Sequence, residues 1–139
     1  MVGTDIIEVS RIEKLIKEKG DKFLNKIYRW QEIEYCESKG LNKYQHYAGK
    51  FAAKEAIFKA IDVSCRFGRE YKLRLKDIQI NNWPKGESKY DAPEGSPYVT
   101  FWDEEGLMDD YIPDTSQLSV QVSISHTKEY AIAFAMVTK

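Results

Sequence analysis

Residues 49–61 read Gly-Lys-Phe-Ala-Ala-Lys-Glu-Ala-Ile-Phe-Lys-Ala-Ile, a proline-free run of good helix formers whose apolar residues surround the helix axis. A helix that is apolar on every side is stable only where other elements cover it. The rest of the chain therefore has to wrap this segment, which the pattern extends from about Lys43 to Ile61 as the longest helix. With 139 residues, one domain with a sizeable core is expected. Glu55 and Lys59 interrupt the apolar surface. At ~100° per residue they share one side with Ala52 and Ala56, while Ile57 and Ile61 point nearly opposite and Phe51 and Phe58 lie between. Charged groups in such a setting are costly unless they pair or bind something.

The flanking sequence supplies the covering elements. Val2 to Val9 is rich in β-branched residues and reads as a strand, with Asp5 inside it. Ser10 is predicted as a helix N-cap, with Glu13 as its capping-box partner and Gly20 as the stop. On that helix Ile12, Leu15 and Ile16 share a face, leaving Arg11, Lys14 and Lys17 outside. A second helical stretch from Asp21 to Lys39 is expected to break near Arg29 and end at Gly40. Leu73, Leu75, Ile78 and Ile80 lie in strand-like sequence that closes at Asn81-Asn82-Trp83-Pro84, and Pro84 to Pro97 reads as an exposed excursion. Tyr98 to Trp102 resumes as a strand, and Glu104 to Tyr111 reads as a short helix. Val120, Val122 and Ile124 alternate with Gln121, Ser123 and Ser125, the chain turns over residues 126–129, and Tyr130 to Val137 returns as a hairpin partner. This order predicts an α+β domain, a mainly antiparallel sheet packed against the long central helix.

Composition excludes several classes. A formal net charge of −1 argues against a general nucleic-acid binder. No apolar run approaches the ~20 residues of a membrane span. The N-terminal sequence lacks the basic and apolar regions of a signal peptide. Cys36 and Cys65 form no metal-ligand cluster, so two free thiols in a reducing cytoplasm are expected.

Three groups carry potential chemistry. Glu55 and Lys59 have the i, i+4 spacing of a common surface ion pair, but the helix offers few other polar residues and the neighbouring alanines leave a groove. Strand propensity does not account for Asp5. It either caps a turn or joins Glu55 in sharing a hard divalent cation with ligand phosphates and water, as magnesium prefers. Lys59 could then neutralise a phosphate on the same face. His126 follows a strand and is either an ordinary hairpin histidine or, with Ser125, a donor to phosphate or sugar. No Walker or Rossmann glycine pattern is present.

The segments Gly3-Thr-Asp-Ile-Ile-Glu-Val-Ser-Arg-Ile12, Lys50-Phe-Ala-Ala-Lys-Glu-Ala-Ile-Phe-Lys-Ala-Ile61 and Ser123-Ile-Ser-His-Thr-Lys-Glu-Tyr-Ala-Ile-Ala133 together resemble the phosphopantetheinyl transferase superfamily, specifically the small holo-[acyl-carrier-protein] synthase type. Gly95 to Val99 is a weaker echo of the same family. The resemblance implies that family's fold and transfer of 4′-phosphopantetheine from coenzyme A to a serine of an acyl carrier protein, releasing adenosine 3′,5′-bisphosphate. It assigns Asp5 and Glu55 to a magnesium ion and Lys59 to the pyrophosphate. It assigns Ser125, His126 and Thr127 to the nucleotide part of coenzyme A, and Arg11 to the carrier's acidic helix; the outer face of the first helix, with Arg11, Lys14 and Lys17, supplies a basic patch for such a carrier. The serine's proton would pass to Glu55 through water, to a metal-bound water or to a partner carboxylate, the first being preferred. The resemblance further implies a homotrimer with active sites between subunits. Lys50 departs from the family's usual arginine. It would hold a phosphate as a point charge and, pointing away from Lys59, would serve a distant part of a large nucleotide. Lys54 is expected to be structural. Residues 62–68 depart from the family's glycine-containing segment, and residues 84–97 read as a loop insertion.

Two other readings compete: a carrier-binding module of the same fold without turnover, and a magnesium-dependent nucleotide phosphohydrolase using water and no protein acceptor.

Overall fold

The first strand, β1 (Val2–Glu8), runs without a loop into α1 (Val9–Lys19). The computed structural model describes residues 1–64, 73–86, 92–102 and 118–138, the side chains of 62–64 excepted. Beyond α1 come α2 (Asp21–Ile27), α3 (Trp30–Glu37) and α4 (Lys43–Ser64), then β2 (Ile78–Asn82), β3 (Pro97–Phe101), β4 (Ser119–His126) and β5 (Tyr130–Thr138). Among the described residues the strands form two antiparallel sheets, one in the order β1-β5-β4 and one pairing β2 with β3. This is the expected α+β architecture. The predicted helix 104–111 and the departure at 62–68 lie outside the described residues, Asp62 to Ser64 excepted, which continue α4.

α4 is covered as its composition requires. Its small residues Gly49, Ala56 and Ala60 meet the three-stranded sheet, where Ala131, Ala133, Ala135 and Val137 present equally small buried side chains from β5. A Cβ on Gly3 would lie 2.0 Å from the Ala56 carbonyl oxygen and 2.8 Å from the Ala60 nitrogen. β1 thus rests directly on the helix backbone, an approach open only to glycine. The opposite side of α4 is gripped through Lys54, which has no exposure. Its ammonium donates to Glu32 Oε1 (2.7 Å) and to the carbonyl oxygens of Ile27 (2.9 Å), Ile78 (2.6 Å) and Leu75 (3.2 Å). Glu32 also accepts from the amides of Arg29 and Ile80. The pair is therefore buried but fully satisfied, the condition under which an ion pair tolerates a dry interior.

Four local expectations are corrected. Ser10 is not an N-cap: α1 begins at Val9, whose amide donates instead to Glu129 O at 2.8 Å. Glu13 is then free to pair with Lys17 at 2.9 Å. Leu75 to Asp77 form a 3₁₀ turn instead of a strand, because the Asp77 carboxylate accepts from both the amide and the guanidinium of Arg74. Asn81 and Asn82 belong to β2, held by side-chain bonds to Thr100 Oγ1 and Gly95 O (2.9 Å each). The expected helix stop at Gly40 comes earlier: α3 ends at Glu37, where the Ser38 amide bonds back to Glu34 O, and Gly40 (φ 58°) opens a 3₁₀ turn over Gly40–Asn42. The break at Arg29 and the stop at Gly20, with φ of 54°, fall where expected.

Candidate active site

Strand alternation turns Asp5 to the α4 side of the sheet, between buried Gly3 and Ile7. Because Gly3 allows β1 to touch α4, Asp5 arrives beside the polar edge of that helix. Lys59 Nζ donates to Asp5 Oδ1 at 2.9 Å and to Thr4 O at 3.1 Å. Glu55, one turn earlier, is half-buried. Burial raises its carboxyl above the ordinary glutamate range, the Asp5 charge raises it further, and Lys59 partly opposes both. The three residues singled out in sequence therefore meet. Asp5 and Glu55 line a cleft of about 350 Å³ together with Arg11, Phe51, Glu8 and Tyr130, among others, and Lys59 is joined to it through its bond to Asp5. Arg11 faces this cleft and makes no ion pair among the described residues. Lys14 does not reach it: it lies on the exposed side of α1, 3.9 Å from Glu18.

A second cavity, of about 210 Å³, lies where the start of α4 meets β4 and the β2–β3 pair. Lys50 and His126 both line it, with His46, Tyr35, Asn82 and Gly95. The Lys50 ammonium is buried, donates to Ile80 O (2.7 Å) and Asn82 Oδ1 (2.8 Å), and is pushed below the usual lysine range by that burial. His126 Nδ1 donates to Gln45 Oε1 at 3.0 Å. A carboxamide oxygen only accepts, so this bond is made by the tautomer that carries its proton on Nδ1 and leaves Nε2 outside it. Ser125 alternates to the outer face of the sheet, away from the cavity. Thr127 uses its hydroxyl to accept from the amides of Glu129 and Tyr130, which closes the β4–β5 turn. The sequence alone assigns His46 no role, although its i, i+4 relation to Lys50 places the two on one helix face.

The donor set fits a hard cation. Among the described residues no cluster of three or more histidines, cysteines and acids is built to hold a metal. Two converging carboxylates beside an open cleft suit magnesium, which keeps waters and ligand phosphates in its shell.

Residues 1–135 match the family described as the 4′-phosphopantetheinyl transferase superfamily, and the chain belongs to it. Among its relatives is a holo-[acyl-carrier-protein] synthase of Ruminiclostridium cellulolyticum, 36% identical over 99% of this chain and 91% of the relative. The fold is similar to that of Helicobacter pylori holo-[acyl-carrier-protein] synthase in complex with coenzyme A, with a TM-score of 0.71, 34% identity, and coverage of 99% of this chain and 100% of that one. It also resembles the Bacillus anthracis holo-(acyl-carrier-protein) synthase in complex with CoA (3′,5′-ADP), with a TM-score of 0.64, 32% identity, and coverage of 98% and 93%.

Proposed function

We propose that this chain transfers 4′-phosphopantetheine from coenzyme A to a serine hydroxyl of an acyl carrier protein. The observation that carries the reading is the convergence of Asp5 of β1 and Glu55 of α4 on one cleft, with the Lys59 ammonium bonded to Asp5. The serine oxygen attacks the phosphorus of the diphosphate that bears pantetheine. A new O–P bond forms, the P–O bond to the nucleotide breaks, and adenosine 3′,5′-bisphosphate leaves. Asp5 and Glu55 would hold Mg²⁺, which supplies charge neutralisation for the diphosphate when bound. Lys59 places an ammonium where charge builds on the departing phosphate. Glu55 is the residue positioned to take the serine's proton through a water, a task its raised affinity for protons suits. The nucleophile belongs to the partner, which accounts for the lack of an activated serine or cysteine in the described cleft lining.

Arg11, which lines the cleft and makes no ion pair among the described residues, is the docking cation for the carrier's acidic helix. The second cavity, with Lys50 and His126, suits the nucleotide end of coenzyme A. In one copy Lys50 and Lys59 lie nine positions, or about 180°, apart around α4. A homotrimer with sites between subunits would place the cleft of one copy beside the cavity of the next. Supporting this, the outer face of β1 and β5 exposes Ile6 (63%), Tyr130, Ile132 (46%), Phe134 (49%) and Met136, an apolar surface of the kind that subunits cover. Cys36 is a buried free thiol pushed up to about 12 by that burial, as suits a cytoplasmic protein. Among the described residues no helix is long and apolar enough to cross a membrane.

The test incubates the protein with coenzyme A, magnesium and an apo carrier protein and weighs the carrier by mass spectrometry. A gain of one phosphopantetheine, lost in Glu55→Gln with the fold intact, is expected. Bisphosphate release without that gain would establish a hydrolase, and binding without either would leave a docking module.

A further inference from the structure

The cavity beside β4 contains a side chain that this reaction scheme leaves idle. His46 stands one turn before Lys50, and its ring packs edge-on against His126 (centroids 5.0 Å apart, 65°) and Tyr35 (5.8 Å, 76°). The ring hydrogen-bonds to no other described residue. Space beside it is kept open by Gly49, where a Cβ would come 3.1 Å from Ile124 Cγ2. The groups that face His46 are Tyr35 of α3, Lys39 just beyond α3, Lys50 on α4 itself and His126 on β4, while β2 and β3 contribute Asn82 and Pro97 and the segment between them Gly95. No carboxylate is among the residues lining the cavity. Burial first, then the electrostatic influence of the neighbouring His126, Lys39 and Lys50 side chains, holds the His46 imidazole down to about 4. The same charges that oppose a proton on this ring attract an anion. A phosphate monoester, at about −1.5 to −2 near neutral pH, would reverse the field around the ring and favour the imidazolium.

We propose that His46 is a phosphate-binding residue of this cavity, which takes a proton from solvent as a phosphate monoester enters and donates a charged N–H···O bond to it beside Lys50 and His126. One proton moves from water to the ring, and no covalent bond of the ligand changes. The inference rests on the reading that the nucleotide end of coenzyme A enters here, and it adds that entry is coupled to proton uptake.

Adenosine 3′,5′-bisphosphate is the probe, titrated calorimetrically into the full-length protein at pH 6, 7 and 8 in buffers of different ionisation enthalpy. Wild type is compared with His46→Gln, His46→Phe, Lys50→Met and His126→Phe, each first checked for an intact melting transition. Wild type should take up close to one proton more than either His46 variant at pH 7. The affinity gap between wild type and His46→Gln should widen by up to about tenfold for each pH unit lowered, the limit for one linked proton. The ligand's own titration is common to all variants and cancels in that ratio. Equal proton uptake and parallel pH profiles would overturn the proposal. If Lys50→Met or His126→Phe weakens binding while both His46 variants match wild type, the His46 role alone fails. If none of the four changes binding, the nucleotide reading of the cavity falls with it.

Discussion

Replacing Gly3 with alanine adds a single methyl group at the tightest contact between β1 and α4. The new Cβ would sit 2.0 Å from the Ala56 carbonyl oxygen, whereas real Cβ contacts essentially never fall below 3.0 Å. Strand and helix must therefore separate by about 1 Å, because the obstructing atom is helix backbone and has no rotamer to change. Overpacking of this kind costs about 1–3 kcal/mol. For a chain of this size that corresponds to a fall in melting temperature of about 3–12 °C. Asp5 lies two residues further along the same strand and moves with it, away from Glu55. A displacement of about 1 Å in a positioned group can cost on the order of 10²-fold in rate. The assay pairs a thermal melt with the initial rate of carrier loading under saturating coenzyme A, at a temperature where the variant is fully folded. Loss of rate well beyond the unfolded fraction is expected. A variant that melts and turns over like wild type would refute the claim that glycine sets the distance between the two carboxylates.

In chelator, Glu55 favours its protonated form in the fold, so its contribution to stability is complete below about 4.5, the ordinary glutamate value, and is lost as pH rises through the raised folded value. Metal-free Glu55→Gln should accordingly melt above wild type at pH 7.5 and converge with it at pH 4, while added magnesium should raise the melting temperature of wild type and not of the variant. Arg11→Ala should raise the KM for the carrier about tenfold with little change in kcat. Lys14→Ala should change it less than twofold, since its exposed pairing with Glu18 is worth only a few tenths of a kcal/mol. Phe134→Glu should shift the protein to smaller species in sedimentation velocity, and an unchanged profile would remove the outer sheet face from the assembly.

The parts of this architecture that could be read from sequence are those fixed by periodicity. The wheel of residues 43–61 places Glu55 and Lys59 together on the side of Ala52 and Ala56, and Lys59 reaches Asp5 across the interface with β1. Alternation in β4 placed Val120, Val122 and Ile124 inward. What escaped was decided by partners distant in sequence. Ser10 has the chemistry of a cap, but the hairpin turn at Glu129 reaches the first amide of α1 before any cap is needed. Leu73 and Leu75 alternate like a strand, yet the Asp77 carboxylate folds that stretch into a turn. His46 has little meaning in one dimension. Its neighbour His126 lies 80 positions away, and only the packing of β4 on α4 brings the two rings together.

Lys54 has a consequence for how far this protein can be redesigned. Apart from Glu32, its ammonium holds the main-chain oxygens of Ile27, Leu75 and Ile78, atoms that every amino acid supplies. Hydrophobic exchange at those three positions leaves the acceptors in place, so this anchor imposes no choice of letter on them. Only Glu32 has to be selected together with Lys54, and a library that randomised the shell while keeping those two residues would retain the orientation of Glu55, the next residue along the helix.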